Sequence, residues 1–373
     1  MRVLHVTPAY APNSGGIETI LSYLLPQFAE SEGYKVALLV GSPDIWQSDF
    51  NHFGAKRDVE GNVEVWRFGI FAGSSKDISA HVEIASAIRR IGTDFKPNVI
   101  HIHGPSRLAN AVYRYGRSCN LPIVLHLHGS ISESFSPSFI EMCREADAVL
   151  VPSRYVENSV IQVSARTKST TLCSNAVSPA AHSIVKEYSR NTKRVSLVSA
   201  GRLEINKGFD TSIRVLKGLV LAGLESHLDI YGVGPAHHDL IELSKELQVQ
   251  DFVKIKAPVL HHIFLQDLIS YDYVIVPSRD FEGFGMVAAE ASAVGVICVA
   301  SAVGGLKEVI EDKKSGFLVA QDDSEAMVKV ILNSLDDLAA RDSMASFARD
   351  YALSEFNLKK MITTIGSVYS RVT

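Results

Sequence analysis

Short apolar runs alternate with longer stretches of helical period, and this alternation occurs twice along the chain. In the first half, strands are predicted at Val3–Thr7, Val36–Val40, Val63–Phe68, Val99–His103, Ile123–His128, Ala148–Val151 and Thr171–Cys173. In the second half, they are predicted at Val195–Ala200, His227–Tyr231, Phe252–Ile255, Tyr273–Val276, Ile297–Ala300 and Gly316–Val319. Several of these runs are apolar throughout, which is typical of parallel strands covered by helices on both faces.

Two such series predict an α/β protein with two Rossmann-like domains that face a central cleft. The chain has 373 residues, which is about the length of two domains. We predict domains at residues 1–178 and 179–352, because the polar stretch from Asn175 to Arg194 lacks a strong period. Residues 353–373 contain a last helix-like segment, Leu358–Val372.

Composition and charge narrow the class of protein. The net charge of −4 gives no electrostatic reason to expect nucleic-acid binding. The cysteines lack paired spacing, which indicates reduced thiols and a cytosolic protein; they are Cys119, Cys143, Cys173 and Cys298. The N-terminus is predicted to be a strand and a turn, not a signal peptide. No apolar run reaches the roughly 20 residues that span a bilayer.

The most informative stretch contains two glutamates, Glu282 and Glu290, around a glycine-rich turn. Gly283 and Gly285 form the turn, and a helix is predicted over Met286–Ala293. Free N–H groups at a helix start attract anions. One carboxylate beside that anion and another about two helical turns further on suit a sugar joined to a nucleotide by a diphosphate. The alternative is an ordinary strand–turn–helix with two solvated carboxylates.

Two cations follow the first strand of the second half. Arg202 and Lys207 are five residues apart and flanked by glycines, and they suit a diphosphate because arginine binds it bidentately and lysine as a point charge. Surface cations near a turn are the alternative. No Asp-x-Asp sequence occurs anywhere in the chain, so a metal-bridged diphosphate is not expected.

The first half offers a glycine pair and a set of histidines. Gly15 and Gly16 precede a predicted helix and would let the backbone approach a ligand closely, although a flexible turn is the alternative. His128 is predicted to be last in its strand, where a cleft would lie, and is the best candidate to contact a reacting group. We interpret three further strand histidines, His101, His103 and His126, as structural, and no metal site is expected.

An ordered set of motifs resembles glycosyltransferase family 4, whose members are retaining enzymes of the GT-B fold. The matching segments are Gly15–Glu18, His128-Gly129, Val151–Arg154, Gly201–Gly208, Tyr231–Pro235, Glu282–Glu290 and Val303–Ile310. They occur in the family order and span nearly the whole chain. The resemblance implies that the last helix returns to the N-terminal domain. That domain would bind the acceptor, and the C-terminal domain would bind the nucleotide-sugar donor.

The resemblance also implies catalytic roles for four matched residues. Arg202 and Lys207 would bind the diphosphate of the donor. Glu282 would hold sugar hydroxyls and the distal phosphate. His128 would contact the transferred sugar near its anomeric centre. The leaving diphosphate would take the acceptor proton, and the protein would contribute positioning and charge stabilisation.

Further donor contacts are implied for Glu290, which would hold the ribose hydroxyls, and for backbone N–H groups near the phosphates. The residues that would supply the backbone contacts are Gly15, Gly16, Gly283, Phe284, Gly285, Met286 and Val287. Two departures from the family pattern, at Ala176 and Ala257, leave the donor base and the hinge geometry open. No metal or other cofactor is expected, since the nucleotide-sugar is a substrate.

The expected function is transfer of a hexose, from GDP-mannose or a UDP-hexose, to a glycan, lipid-linked or small-molecule acceptor. The family implies a place in bacterial surface-polysaccharide or lipopolysaccharide biosynthesis. Two alternatives are a non-catalytic GT-B-fold binding protein and a GT-B nucleotide-sugar epimerase. We expect a cytoplasmic enzyme. Basic residues on two predicted helices, including Arg89 and Arg114, leave peripheral contact with the inner membrane face as a further alternative.

Overall fold

The computed structural model describes residues 1–10, 15–31, 33–41, 56–68, 78–166, 168, 170–188, 194–280 and 282–373. The chain forms two compact units. The first unit comprises Met1–Cys173 together with Met361–Thr373, and the second comprises Ser174–Lys360. The functional domains predicted at residues 1–178 and 179–352 stay predictions.

A mainly parallel sheet of eight strands forms the centre of the first unit. Its strands are β1 (Arg2–Thr7), β2 (Lys35–Gly41), β3 (Lys56–Glu60), β4 (Val63–Phe68), β5 (Val99–His103), β6 (Ile123–His126), β7 (Ala148–Val151) and β8 (Thr170–Leu172). Their order is β3-β4-β2-β1-β5-β6-β7-β8, and only the β3–β4 pairing is antiparallel. The sequence analysis missed β3, because this edge strand is charged and has no apolar run.

Helices of the first unit are α1 (Gly16–Glu30), α2 (Ile78–Asp94), α3 (Arg107–Ser118), α4 (Pro137–Glu145) and α5 (Arg154–Ser164). Serine hydroxyls accept hydrogen bonds from backbone N–H groups at the start of three of them, at Ser106, Ser136 and Ser153. Such caps satisfy N–H groups that have no partner within the helix. The strands and the apolar helix faces together enclose a core that includes Leu4, Ile100 and Trp66.

The second unit contains a wholly parallel sheet of six strands: β9 (Arg194–Ala200), β10 (Glu225–Tyr231), β11 (Val253–Lys256), β12 (Tyr273–Val276), β13 (Ile297–Ser301) and β14 (Gly316–Val319). Its helices are α6 (Phe209–Leu221), α7 (His237–Glu246), α8 (His261–Leu268), α9 (Met286–Ala293), α10 (Leu306–Val309), α11 (Ser324–Asp336) and α12 (Leu338–Glu355). The strand order β11-β10-β9-β12-β13-β14 is that of a Rossmann sheet, whose topological switch point lies between β9 and β12.

The last helix, α13 (Leu358–Val372), carries the end of the chain back to the first unit, to which residues from Met361 onward belong. Its residue Tyr369 is fully buried there. The Tyr369 hydroxyl lies 2.5 Å from Nδ1 of His101, and the tyrosine ring contacts Phe28 edge-on. The predicted return of the last helix to the N-terminal part is therefore confirmed.

Every predicted strand is present, with ends that differ from the prediction by at most two residues. The helix predicted over Met286–Ala293 and the segment Leu358–Val372 have the predicted ends. One difference concerns a candidate site residue. The strand predicted to end at His128 ends at His126, so His128 lies in the following bend and not in the strand itself.

Candidate active site

The loops that follow β9 and β12 lie side by side because these two strands pair in the sheet of the second unit. The Ser199 hydroxyl of β9 donates to the Ile275 carbonyl of β12 at 2.8 Å, and between the loops the Arg279 backbone N–H donates to the Asn206 carbonyl at 2.8 Å. Ligands of open parallel sheets bind at the carboxyl ends of strands beside such a switch point. The structure therefore brings the loop of Lys207 to the loop of Glu282.

Lys207 and Glu282 form an ion pair, with 2.8 Å between Nζ and Oε2. The Ser278 hydroxyl donates to the same Oε2 atom at 3.0 Å. The two charged side chains are 27% and 15% exposed, so the pair is accessible to a ligand yet partly shielded from water. The sequence analysis proposed both residues for one ligand but did not find Ser278, whose hydroxyl has no distinguishing pattern.

Arg279 holds these loops in place. Its guanidinium is 2.7 Å from a carboxylate oxygen of Asp210 and 2.7 Å from one of Asp322. It also donates to the Ile205 carbonyl at 2.8 Å, within the loop that carries Lys207. One arginine thus connects the loop after β9 with the start of α6 and with Asp322. Sequence reasoning missed this role, because all three of its partners are distant in the chain.

The start of α9 is shaped by glycines at which the chain passes close to a neighbouring loop. Gly285, the residue before α9, has φ +102°, and a Cβ there would lie 2.5 Å from Cδ2 of Leu306. A Cβ at Gly304 would collide with the carbonyl of Glu282, and the Gly305 N–H donates to that same carbonyl at 2.8 Å. The loop from Glu282 to Gly285 is therefore packed backbone against backbone.

Five of the residues predicted to contact the donor through their backbone lie in this same turn and at the start of α9. The first N–H that bonds back into α9 belongs to Ala289, which donates to the Gly285 carbonyl at 3.0 Å. The N–H groups of Met286 and Val287 precede it and have no acceptor within the helix. Phe284 is buried and packs edge-on against Phe356, so its side chain faces the core. Like Gly283, it can contact a ligand through its backbone.

Glu290 is only 4% exposed, and its Oε1 lies 2.7 Å from Nε2 of His261, the first residue of α8. Burial by itself lowers the pKa of His261, but the hydrogen bond and charge of Glu290 outweigh burial and raise that pKa overall. No role was predicted for His261, because nothing in its neighbourhood along the chain points to Glu290. The carboxylate that would hold ribose hydroxyls is thus oriented by an imidazole.

Arg202 differs from the other predicted site residues of the second unit. Its side chain is 76% exposed, and its guanidinium pairs with Glu204 at 3.0 Å. Lys207 and Glu282, in contrast, pair with each other. The role of Arg202 at the diphosphate stays a prediction.

The remaining predicted residues belong to the first unit. Gly15 immediately precedes α1 in an extended conformation, and its carbonyl accepts the Thr19 N–H at 3.0 Å. Gly16 is the first residue of α1 and is exposed, so the start of this helix can approach a ligand. His128 is half-buried and lies two residues after β6, with its Nε2 3.1 Å from Nδ1 of His103.

Two groups of three histidines in the first unit could offer nitrogen ligands to a metal, since their nitrogens lie within 4.8 Å of one another: His5, His101 and His103, and His103, His126 and His128. Four of these histidines were singled out from the sequence, and His5 was not. The absence of a metal requirement stays a prediction.

A cavity of about 240 Å³ lies beside the loop after β9. Its polar lining contains Glu204, Asp210, Asp239 and Arg279. Three carboxylates against one arginine do not suit a diphosphate, so we do not assign this cavity to the donor. In the part of the chain that the structure describes, no helix combines the length and the apolar character needed to cross a membrane.

Comparison with known proteins defines the class. Residues 14–181 match the family model described as Glycosyltransferase Family 4, and residues 182–351 match the one described as Glycosyl transferases group 1. The solved structure of HepE from Anabaena, in complex with UDP and glucose, aligns with a TM-score of 0.77 at 20% identity and covers 99% of both chains. The fold is GT-B, and the protein is a glycosyltransferase.

The chain belongs to glycosyltransferase family 4, as the ordered motifs implied. It is 25% identical over 305 residues to the glycogen synthase of Mycobacterium tuberculosis, which covers 78% of this chain and 73% of that protein. It is 26% identical over 184 residues to the putative colanic acid biosynthesis glycosyltransferase WcaL of Salmonella typhimurium, which covers 48% of this chain and 45% of that protein.

Proposed function

We propose that this protein is a retaining hexosyltransferase that moves a hexose from a nucleotide-diphosphate sugar to a glycan, lipid-linked or small-molecule acceptor. The donor is a UDP-hexose or GDP-mannose. The UDP and glucose bound to HepE support a UDP-hexose as the first donor to test. WcaL is named for colanic acid biosynthesis, which supports a polysaccharide acceptor. We further propose a role in bacterial cell-surface polysaccharide or lipopolysaccharide biosynthesis, with the reaction in the cytoplasm.

The proposal depends mainly on the Lys207–Glu282 pair beside the start of α9. A helix start and a lysine together attract a phosphate, and the carboxylate accepts hydrogen bonds from sugar hydroxyls. Glu290 lies further along α9 and would accept hydrogen bonds from the ribose hydroxyls. When the donor binds, the phosphate competes with Glu282 for the Lys207 ammonium, so the carboxylate becomes available to the sugar.

Retention of configuration follows from attack on the same face as departure. The bond between the anomeric carbon and the diphosphate breaks through an oxocarbenium-like state, and the acceptor oxygen bonds to that carbon. The leaving diphosphate accepts the acceptor proton. Lys207, Arg202 and the N–H groups at the start of α9 stabilise the charge that develops on the diphosphate. No metal takes part in this scheme, because these cationic and N–H groups carry out the neutralisation.

A thermal-shift screen with UDP, GDP, ADP and their sugar conjugates, with and without EDTA, tests the proposal. A ligand at 100 times its Kd adds about 2.7 kcal/mol to the free energy of unfolding. We expect one nucleotide class to raise the Tm regardless of EDTA. Lys207→Met should abolish the shift, whereas Lys329→Met, at an exposed position in α11, should preserve it.

The same preparations can be assayed for transfer of the sugar from the nucleotide class that binds, with the anomeric product identified by NMR. A product of inverted configuration would contradict the mechanism. The absence of any shift would favour the non-catalytic alternative over the transferase. A shift that EDTA abolishes would show that a metal is needed at the diphosphate.

A further inference from the structure

Glu290 is a buried carboxylate that has no charged neighbour within its own helix. It is the only charged residue of α9, and the residues on either side of it, Ala289 and Ala291, are fully buried. An ionised carboxylate that is removed from water is costly unless another group donates hydrogen bonds to it. The charge of Glu290 therefore depends on a partner from outside α9.

That partner is His261, whose Nε2 lies 2.7 Å from Oε1 of Glu290. This distance is typical of a hydrogen bond between a charged donor and a carboxylate. An ionised carboxylate only accepts hydrogen bonds, so Nε2 is the nitrogen that donates. The second carboxylate oxygen, Oε2, has no hydrogen-bond partner among the described residues. It can accept from a hydroxyl of a ligand without displacing the imidazole.

The packing of α8 against α9 determines where this imidazole lies. Phe264, Leu265 and Leu268 of α8 are buried and belong to the same hydrophobic core as Ala289 of α9. They follow His261 by three, four and seven positions, and this spacing places all four side chains on one face of the helix. The face that packs against α9 therefore also carries His261, so the imidazole is held beside Glu290 by its own helix.

No requirement of α8 itself explains a histidine at this position. In the described part of the chain, no side chain caps the start of α8, and the residue before it is Leu260. A positive side chain is also disfavoured at a helix start, where free N–H groups carry a partial positive charge. The family motifs include Glu290 but not His261. The contact with Glu290 is thus the feature that accounts for His261.

We propose that His261 is a positioning residue that keeps Glu290 ionised and directs its Oε2 at the ribose, which makes the site selective for ribonucleotides over deoxyribonucleotides. The inference rests on the proposed contact of Glu290 with the ribose hydroxyls. An ionised carboxylate accepts a hydrogen bond more strongly than a neutral carboxyl group. A sugar without these hydroxyls would leave the carboxylate desolvated and without a donor, which is how such a site rejects an analogue.

Calorimetric titration of the full chain with UDP, GDP and ADP, each compared with its 2′,3′-dideoxy counterpart, tests this selectivity. For the nucleotide that binds, we expect the dideoxy form to have a Kd at least about 10-fold higher, because hydrogen bonds to a charged group contribute strongly. A wild-type protein that binds both forms equally would overturn the inference, since Glu290 would then not hold the hydroxyls. That result would leave the proposed transferase activity standing.

The variant His261→Leu removes the donor and keeps a side chain of similar size against α9. The ratio of the two Kd values should then fall below about 3-fold, because a buried carboxylate without its donor takes up a proton or turns away. The donor KM should rise with kcat little changed, since the ribose is held equally in the ground state and the transition state. An unchanged ratio of Kd values would contradict the role of His261.

Two further variants separate the hydrogen bond from the packing of α8. His261→Gln supplies an amide N–H in place of Nε2 and should recover most of the ratio of Kd values. His262→Leu is the matched control, because His262 is the next residue of α8 and is exposed. It should retain the wild-type ratio and donor KM. If His262→Leu lost the selectivity as fully as His261→Leu, the effect would belong to α8 as a whole and not to the imidazole.

The pairing itself can be measured without a ligand, by NMR titration of ¹⁵N-histidine-labelled protein. Burial lowers the pKa of His261, but Glu290 raises it overall, so Glu290→Gln should lower that pKa. An unchanged pKa would contradict the pairing. If His261→Leu does not fold, this titration and the wild-type ratio of Kd values still decide. A protein that binds no nucleotide would contradict the proposed function and with it the selectivity, whereas the pKa of His261 would still decide the pairing.

Discussion

Single side chains in the second unit prepare the site before any ligand arrives. Lys207 and Glu282 neutralise each other, and His261 is hydrogen-bonded to Glu290. Both carboxylates are largely removed from water, where an unpaired charge would be costly. A nucleotide-sugar that binds here would therefore replace the present partners of charged side chains that are already in position. Such pre-placed charges cost little reorganisation when the transition state forms.

Replacing Glu282 by glutamine tests the carboxylate with little change in shape. We expect Glu282→Gln to lower kcat by about 100-fold to 1000-fold, because the amide cannot provide a negative charge beside the sugar. The fold should persist, since glutamine has nearly the same size and its amide oxygen can still accept from Lys207 and Ser278. Steady-state transfer kinetics and circular dichroism measure the two effects.

Glu325→Gln is the control for this variant, because Glu325 is exposed in the first turn of α11 and distant in sequence from the Glu282 loop. It should retain wild-type turnover. If Glu282→Gln also turned over at the wild-type rate, the assignment of the active site to this loop would be wrong.

The turn between β12 and α9 is the element on which the candidate site depends most. Its path requires glycine at Gly285, because φ is +102° and Leu306 occupies the space where a Cβ would be. The sequence pattern of strand, glycine turn and helix predicted this element with its observed helix ends. The neighbouring glycines, Gly304 and Gly305, had no predicted structural role. Their function is to let a second loop support the turn from outside.

Gly285→Ala should disturb this turn. A positive φ costs an alanine about 1–2 kcal/mol. The contact with Leu306 should add about 1–3 kcal/mol, and the displaced turn should bind nucleotide more weakly. Urea unfolding and nucleotide titration measure these effects.

Gly223→Ala provides the comparison, because Gly223 also has positive φ, at +85°, but a Cβ there meets no atom within 4 Å. It should show only the backbone cost and unchanged nucleotide binding. Equal effects of the two substitutions on stability and binding would mean that packing against Leu306 does not define the turn.

For the whole molecule, four buried histidines of the first unit predict that this unit is sensitive to acid. Burial lowers the pKa of His5 to about 3 and also lowers the pKa values of His101, His103 and His126. In the unfolded chain a histidine titrates near about 6.5. Between these values the unfolded state binds more protons than the folded state, so the free energy of unfolding rises with pH and falls on acidification. Each such histidine changes the free energy of unfolding by up to about 1.4 kcal/mol per pH unit.

Urea unfolding between pH 8 and pH 5, followed by hydrogen exchange of amides in each unit, would measure this loss. We expect the first unit to lose stability steeply below about pH 6.5. His126→Phe should lower the slope of the free energy of unfolding against pH by the equivalent of about one proton. The raised pKa of His261 acts in the opposite direction, since its contribution is present at low pH and is lost as pH rises, but it belongs to the second unit. A stability independent of pH in this range would contradict the neutrality of the buried histidines.

Much of the architecture could be predicted from local pattern. Buried parallel strands are continuous apolar runs, and their alternation with helices defined both sheets before any contact was known. The exception, β3, shows the limit of that signal, because an edge strand with charged residues has no apolar run. Glu282, Lys207 and Glu290 could be proposed because each lies beside a strand end or a glycine turn. The partners Ser278, His261 and Arg279 could not, because no local pattern distinguishes them.

The sequence by itself therefore determined the two Rossmann-like sheets, the family and the set of residues near the strand ends, because these depend on order and spacing along the chain. Only the tertiary structure decided which charges pair and which nitrogens bond. His5 and His103 are 98 residues apart in sequence and meet only because β1 and β5 pair in the sheet. Side-chain contacts of this kind depend on strand order and register, which no single stretch of sequence contains.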